Sequence, residues 1–249
     1  MLLAGPFLLV ASLAFDKRRQ LARRAVRAVF PRLVRHYCRM AGCPLKLDAV
    51  PFADRWPGPV IVVANHCSCM DVLLLMMLPL PIGAGRVWAK EWPFRVPLLG
   101  ALMRLSGHLF VNDFNLLPDA QDSLARGTSL LVFPESSRSR TGRMGRFREG
   151  AFLLAARTGR PILPVAIHGT FAAMPTRQPW VFRPHLRVQP LALLTAESDD
   201  PRAHLTLRRH AQRMIAEALA GASAAAPSPP TAPLPCPITR QPMHVRPRF

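Results

Sequence analysis

Between Trp56 and Pro190 the chain repeats one pattern: a short apolar run rich in β-branched residues, then a segment with helical spacing. Pro59-Val-Ile-Val-Val-Ala64, Ser129-Leu-Leu-Val-Phe133 and Pro161-Ile-Leu-Pro-Val-Ala-Ile167 show no polar/apolar alternation. Strands of that kind are buried on both faces, as in a parallel sheet sandwiched between helices. Shorter strands are expected at His108–Val111 and Leu186–Gln189. Helices are expected at Asp71–Leu78, ending at the Pro79–Pro81 pair, near Leu117–Arg126, and at Glu149–Thr158, closed by Gly159. A further helix spans Asp200–Ala220, with Leu205, Met214 and Leu219 among its apolar positions. This alternation predicts an α/β fold, a largely parallel sheet flanked by helices. The 249 residues suffice for one such domain with a proper core. No internal repeat, Walker loop or glycine-rich dinucleotide fingerprint accompanies it.

The flanks differ in character. Met1–Phe15 is apolar throughout and stops at Asp16-Lys17-Arg18-Arg19. As a helix it would reach only ~22 Å, against a hydrocarbon core of ~30 Å. Its positive charges follow the apolar run, the reverse of a cleaved signal peptide. From Lys17 to Arg39 there are nine Lys/Arg and no acidic residue, with a broken apolar face of Leu21, Ala25, Ala28, Val29, Leu33 and Val34 interrupted by Pro31. Residues 1–45 are therefore expected to form a helical membrane-surface anchor, its basic charges facing anionic lipid at ~1 kcal/mol each. The competing reading is a buried hairpin with a solvated basic face. Residues 46–220 are expected to form the α/β domain. Residues 221–249, with eight prolines among Ala and Ser, are expected to be a disordered tail.

Thirty-three basic residues against 14 acidic give a net charge of +19, and 30 of the 33 are arginine. Such a chain attracts polyanions: nucleic acid, an anionic membrane face, or acidic substrates and carriers. Five scattered cysteines, an odd number, argue for reduced thiols in a cytosolic compartment and against a disulfide scaffold. No run approaches ~20 uninterrupted apolar residues, which excludes a polytopic membrane protein.

Two loops carry the chemistry. Asn65-His66-Cys67-Ser68-Cys69-Met70-Asp71 directly follows the Val60–Ala64 strand, at the strand end where open α/β sheets bind ligands. Five residues along an ideal helix turn ~500°, so His66 and Asp71 would not share a face. They meet only if His66 precedes the helix and Asp71 sits in its first turn. A carboxylate on one imidazole nitrogen would then leave the other free to take a hydroxyl proton. The second loop, Pro134-Glu135-Ser136-Ser137-Arg138-Ser139-Arg140, follows the Ser129–Phe133 strand and brings hydroxyls, a carboxylate and guanidiniums suited to phosphate. Taken alone, each has a plainer reading: a structural histidine in the first loop, a solvated basic turn in the second.

Together the two loops resemble the glycerolipid acyltransferases typified by 1-acylglycerol-3-phosphate acyltransferase. Asn65, His66 and Asp71 match that family's Asn-His-four-residues-Asp block. Phe133, Pro134, Glu135, Arg138 and Ser139 match Phe-Pro-Glu-Gly-Thr-Arg-Ser, with Ser136 for the glycine and Ser137 for the threonine. Phe147, Gly150 and Pro161–Val165 resemble the remainder, and order and spacing hold over about Val60–Gly169. The resemblance implies an O-acyltransferase in which a lysolipid hydroxyl attacks the thioester of acyl-CoA or acyl-carrier protein, the co-substrate, with no cofactor and no metal. His66 would be the base and Asp71 its orienting partner. Glu135, Ser136, Ser137 and Arg138 would shape the acceptor site, with Lys90 a further phosphate contact. The expected place of work is the cytoplasmic face of the inner membrane, monotopic or peripheral, against an anionic lipid surface.

The run Leu109-Phe110-Val111-Asn112-Asp113 departs from the family's Phe-Ile-Asp-Arg block by placing Asp113 where its phosphate-linked arginine stands. A carboxylate there would favour a cationic or zwitterionic acceptor, such as a lyso-aminolipid. Two other chemistries compete. Cys67 or Cys69 could serve as nucleophile with His66, in a thioesterase. Charge alone could reflect nucleic-acid binding, although the single tyrosine and the absence of a binding motif speak against it. Cys67-x-Cys69 lacks the second ligand pair a zinc site needs.

Overall fold

The computed structural model describes residues 29–51, 54, 56–78, 80, 86–89, 109–110, 116–175, 184–196 and 200–225. The anchor expected over Met1–Phe15, most of the basic stretch, Lys90, Asp113 and nearly all of the proline-rich tail lie outside these residues. Seven strands among the described residues form one sheet: β1 (Leu45–Leu47), β2 (Ile61–Ala64), β3 (Arg86–Ala89), β4 (Leu109–Phe110), β5 (Leu130–Val132), β6 (Ile162–His168) and β7 (Leu186–Pro190). Their spatial order is β1-β7-β6-β2-β5-β3-β4, and every neighbouring pair is parallel except β6–β7. The expected largely parallel sheet is therefore present. Its one antiparallel pair arises because the chain returns beside β6, pairing His168 with Arg187, instead of crossing over through a long helix.

The helices are α1 (residues 29–40), α2 (Met70–Leu75), α3 (Leu116–Ala125), α4 (Gly150–Thr158), α5 (Thr170–Ala173) and α6 (Ala203–Ala225). Strands β2 and β5 are buried at every position, as their unbroken apolar sequence requires. Because side chains alternate along a strand, the two faces build separate cores. Val62, Ala64, Leu131, Leu163 and Val165 pack with Val34 and Cys38 of α1 and Met70, Leu74 and Leu75 of α2. Ile61, Val63, Leu130 and Ile162 pack on the other side with Leu124 of α3, Phe152 of α4 and Leu207 and Ile215 of α6.

Three differences from the sequence reading have physical causes. The boundary expected between residues 45 and 46 cuts β1, and α1 contributes Val34 and Cys38 to the core, so residues 29–45 pack as part of the α/β domain. Helix α6 buries Ala203, Leu207, Ala211 and Ile215, while Leu205, Met214 and Leu219 stay partly exposed. The buried stripe has a spacing of four and includes two alanines, which let the helix lie close to the sheet. That helix also continues to Ala225, past the start expected for the tail. Helix α4 ends as expected: Gly159 takes a left-handed φ of 63°, which halts the helix without steric cost.

Strands β2, β5 and β6 run parallel, so their carboxyl ends share one edge of the sheet. The segments after Ala64, Val132 and His168 all emerge there, which brings the two chemistry-bearing loops together.

Candidate active site

His66 lies just past β2, and α2 begins at Met70, which puts Asp71 in the first helical turn. The His66 Nδ1 to Asp71 Oδ2 distance is 3.0 Å. Asp71 is fully buried, while the His66 side chain retains 15% of its exposure. The same Oδ2 accepts the backbone N–H groups of Cys67 at 2.6 Å and Ser68 at 2.7 Å. A carboxylate can only accept, so the hydrogen of neutral His66 resides on Nδ1 and Nε2 keeps its lone pair. Phe133, the last apolar residue after β5, stacks on the imidazole with centroids 4.2 Å apart and planes 23° from parallel. The ring is thus fixed in tautomer by one loop and in plane by the other.

Asn65 sets where that loop starts. Its buried amide donates Nδ2–H to the Ile167 carbonyl at 2.9 Å and accepts the Ile167 N–H through Oδ1 at 2.8 Å. The side chain thereby continues the β2–β6 ladder one step past Ala64 and Val165. Ser68 Oγ–H donates to the Met174 carbonyl at 3.0 Å, which ties the loop to the chain after α5.

Glu135 joins the two loops. Its Oε1 accepts the His66 backbone N–H at 2.8 Å, and its Oε2 accepts the Gly145 N–H at 2.8 Å. Burial raises its carboxyl above the ordinary range, while the two amide bonds pull the other way. A further backbone bond runs from Ser139 N–H to the His66 carbonyl at 2.8 Å. Ser136, standing where the resembled pattern has glycine, holds a left-handed φ of 62°. The loop therefore keeps a glycine-like conformation without the glycine, at a strain of roughly 1–2 kcal/mol. Gly142 has a φ of 78°, and a Cβ there would come within 2.7 Å of the Phe171 ring.

Cys67 is held in a poor state for a nucleophile. Burial first, then the charges of Asp71 and Glu135, push the Cys67 thiol up to about 12. Its Sγ faces the Gly142 carbonyl at 3.7 Å, and Arg138 Nη1 reaches Cys69 Sγ at 3.5 Å.

Beside the His–Asp pair the second loop encloses an open concavity of about 580 Å³, lined by Arg138, Arg140, Arg143 and Arg146 with Glu135 and Ser137 among its other walls. Of the residues singled out in sequence, His66, Asp71, Glu135, Ser136, Ser137 and Arg138 come together on this sheet edge. The sequence offers Phe133 only as part of the resembled Phe-Pro-Glu block, not as a ring stacked on His66, and does not single out Arg143 and Arg146. The stacked Phe133 ring had no local signal, but the spacing of arginines at 138, 140, 143 and 146 was visible in the sequence.

A parallel-sheet domain thus sets a buried carboxylate behind a partly exposed histidine, with a basic loop beside it. The chain matches the family model described as Acyltransferase over residues 50–168, a stretch that holds both site loops and supports the resemblance read from them. It is 32% identical over 180 residues to a 1-acyl-sn-glycerol-3-phosphate acyltransferase of Chlamydomonas reinhardtii, covering 69% of this chain and 52% of the relative. A Saccharomyces cerevisiae enzyme of the same name is 38% identical over 122 residues, covering 45% of this chain and 39% of the relative. Among solved structures, the 1-acyl-sn-glycerophosphate (LPA) acyltransferase PlsC from Thermotoga maritima superposes with a TM-score of 0.68 at 25% identity, over 86% of this chain and 88% of that one. The chain spans about half the length, or less, of the curated relatives it matches.

Proposed function

We propose that this protein transfers an acyl chain from acyl-CoA or acyl-carrier protein to the free hydroxyl of 1-acyl-sn-glycerol-3-phosphate or a closely related lysolipid. The observation that carries the reading is the His66–Asp71 pair, with Nε2 unengaged among the described residues, at the same strand edge as an arginine-lined concavity. His66 Nε2 takes the proton as the acceptor oxygen bonds to the thioester carbonyl carbon. The tetrahedral intermediate then collapses, the C–S bond breaks, and the departing thiolate recovers the proton from the imidazolium. Asp71 stabilises that imidazolium throughout. The reaction balances without a cofactor or a metal. Arg138, Ser136, Ser137 and Lys90 hold the acceptor head group, and Glu135 acts on it by holding the His66 and Gly145 amides that frame the site.

The relatives' names favour a phosphate-bearing acceptor. Asp113 favours a second reading, an amine-bearing lysolipid, because a carboxylate there repels a phosphate monoester. Work at a membrane surface is supported by α1, whose outer face exposes Val29, Leu33, Tyr37 and Met40 beside Arg35 and Arg39. No helix among the described residues is long and apolar enough to cross a membrane.

The test is acyl transfer on isolated membranes with a panel of lysolipid acceptors and both donor types. His66→Ala should lower the rate at least about 100-fold with the fold intact, and Cys67→Ser should stay near wild type. Near-normal activity in His66→Ala would sink the direct-attack mechanism. Asp113→Arg should raise the ratio of kcat/KM on lysophosphatidic acid to that on an amine-bearing lysolipid, and an unchanged ratio removes Asp113 from acceptor selection.

A further inference from the structure

We infer that Arg140, Arg143 and Arg146 form a second anion site, distinct from the acceptor contact at Arg138, that holds the phosphate-rich nucleotide end of coenzyme A. The inference deepens the acyl-transfer reading and rests on it for the donor's identity.

The argument begins with charge. The concavity carries four guanidiniums and one carboxylate, and Glu135 already has both oxygens engaged by the His66 and Gly145 amides. Arg138 is half-buried and turned to Cys69, whereas Arg140, Arg143 and Arg146 are exposed and without an ion-pair partner among the described residues. Arg126, Arg187 and Arg208 each meet an aspartate or glutamate, and what sets Arg140, Arg143 and Arg146 apart from other unpaired arginines is that they line one concavity. Three uncompensated guanidiniums converging on one hollow repel each other, an arrangement that an incoming polyanion relieves.

The loop also holds its shape before anything binds. Gly145 N–H is tied to Glu135, Ser139 N–H to the His66 carbonyl, and Arg148 N–H to the Pro134 carbonyl. Thr141 and Arg143 donate backbone N–H groups to Ser139 Oγ and Thr141 Oγ1, at 3.3 and 3.4 Å. Gly142 is pressed under Phe171. A backbone fixed at so many points presents its arginines at low ordering cost.

Size and valence then choose the ligand. A lysolipid acceptor brings one phosphate, for which Arg138 is the contact proposed above. A CoA thioester brings three phosphates, a diphosphate and a 3′-phosphate, and one guanidinium fork for each matches the three remaining arginines. The hollow, about 580 Å³ and open to solvent, has room for phosphate groups, and such a concave surface suits a nucleotide better than the helix face of a carrier protein.

Calorimetric titration of the full-length protein with CoA and with 3′-dephospho-CoA tests this directly, needing no turnover. CoA should bind, each of Arg140→Ala, Arg143→Ala and Arg146→Ala should weaken it about threefold, and the triple variant about thirtyfold. These side chains are exposed, so the variants should melt with wild type, and Arg143→Lys should recover part of the loss. The 3′-dephospho form should bind less tightly to wild type and lose less in the triple variant. In turnover assays the triple variant should raise KM for acyl-CoA and leave acceptor KM within twofold. CoA binding unchanged by the triple substitution would overturn the site, as would a KM rise confined to acyl-carrier protein or to the acceptor. If CoA binds through these arginines but no lysolipid is acylated, this inference stands and the proposed reaction falls.

Discussion

Asp71 offers two substitutions that separate charge from scaffolding. Its Oδ2 accepts three hydrogens, from Cys67 N–H, Ser68 N–H and His66 Nδ1, whereas its buried Oδ1 has no hydrogen-bond partner among the described residues. In Asp71→Asn the carboxamide oxygen is forced into the Oδ2 position, since the amino group cannot face three donors. The NH₂ then falls where Oδ1 already lacked a partner. All three bonds survive in weaker, neutral form, for a loss of about 1–2 kcal/mol and a Tm drop of roughly 2–8 °C. On the proposed mechanism, catalysis loses the full negative charge behind a developing imidazolium. At about 4 Å and an effective dielectric of 20 that charge is worth ~4 kcal/mol, of which the amide dipole restores part, so kcat should fall about 30- to 1000-fold. Asp71→Ala instead strands two buried backbone N–H groups and opens a hole, costing about 3–6 kcal/mol. The assay is paired: thermal melting of both variants, and kcat with saturating acceptor and one donor. Activity within threefold of wild type in Asp71→Asn would show that the carboxylate's charge is not used. Equal melting losses in the two variants would show that Oδ2 does not hold the loop.

Three further outcomes are expected. With its thiol pushed up to about 12, Cys67 should react with iodoacetamide at pH 8 roughly a thousandfold more slowly in native protein than in urea, measured by mass spectrometry of quenched aliquots. Fast native labelling would revive the cysteine nucleophile. Ser136→Gly should relieve the left-handed strain and raise stability by about 0.5–1 kcal/mol, whereas Ser136→Val should lower it by a similar amount or more; a destabilised glycine variant would refute the strain. Asn65→Leu leaves the Ile167 N–H and carbonyl unpaired in the core and should cost about 2–4 kcal/mol by denaturant melts, with kcat falling more than KM changes.

Strands β2, β5 and β6 were legible in sequence because a central parallel strand leaves its mark at every residue. The His66–Asp71 contact was legible conditionally: the five-residue spacing demanded a helix starting between them, and α2 begins at Met70. Strand β1 was not legible. Three residues at a sheet edge carry little hydrophobic signal, and their partner in β7 is far away in sequence. Nor was the linking geometry of Glu135 visible, since its partners are backbone amides at His66 and Gly145, and backbone groups have no sequence signature. The substitution at Ser136 is plain in the sequence. That the loop would retain the left-handed turn depended on the surrounding bonds, which hold the backbone whatever residue occupies it.

The pairing of β1 with β7 also sets a timetable. Leu45 waits for Leu186, about 140 residues later, and at ~5–20 residues per second that is a delay of roughly seven to thirty seconds on the ribosome. The inner face of α1 waits as well, because Val34 and Cys38 pack against Leu163, Val165 and Leu186. Throughout that interval α1 displays two apolar stripes, the one destined for the core and the one left outside in the finished fold, with Arg35 and Arg39 between them. If the nascent chain works at a bilayer as proposed, it would meet it with its most adhesive form of α1, and later folding hides one stripe while leaving the other in place. On the membrane-surface reading proposed above, attachment would precede folding and require none of the sheet.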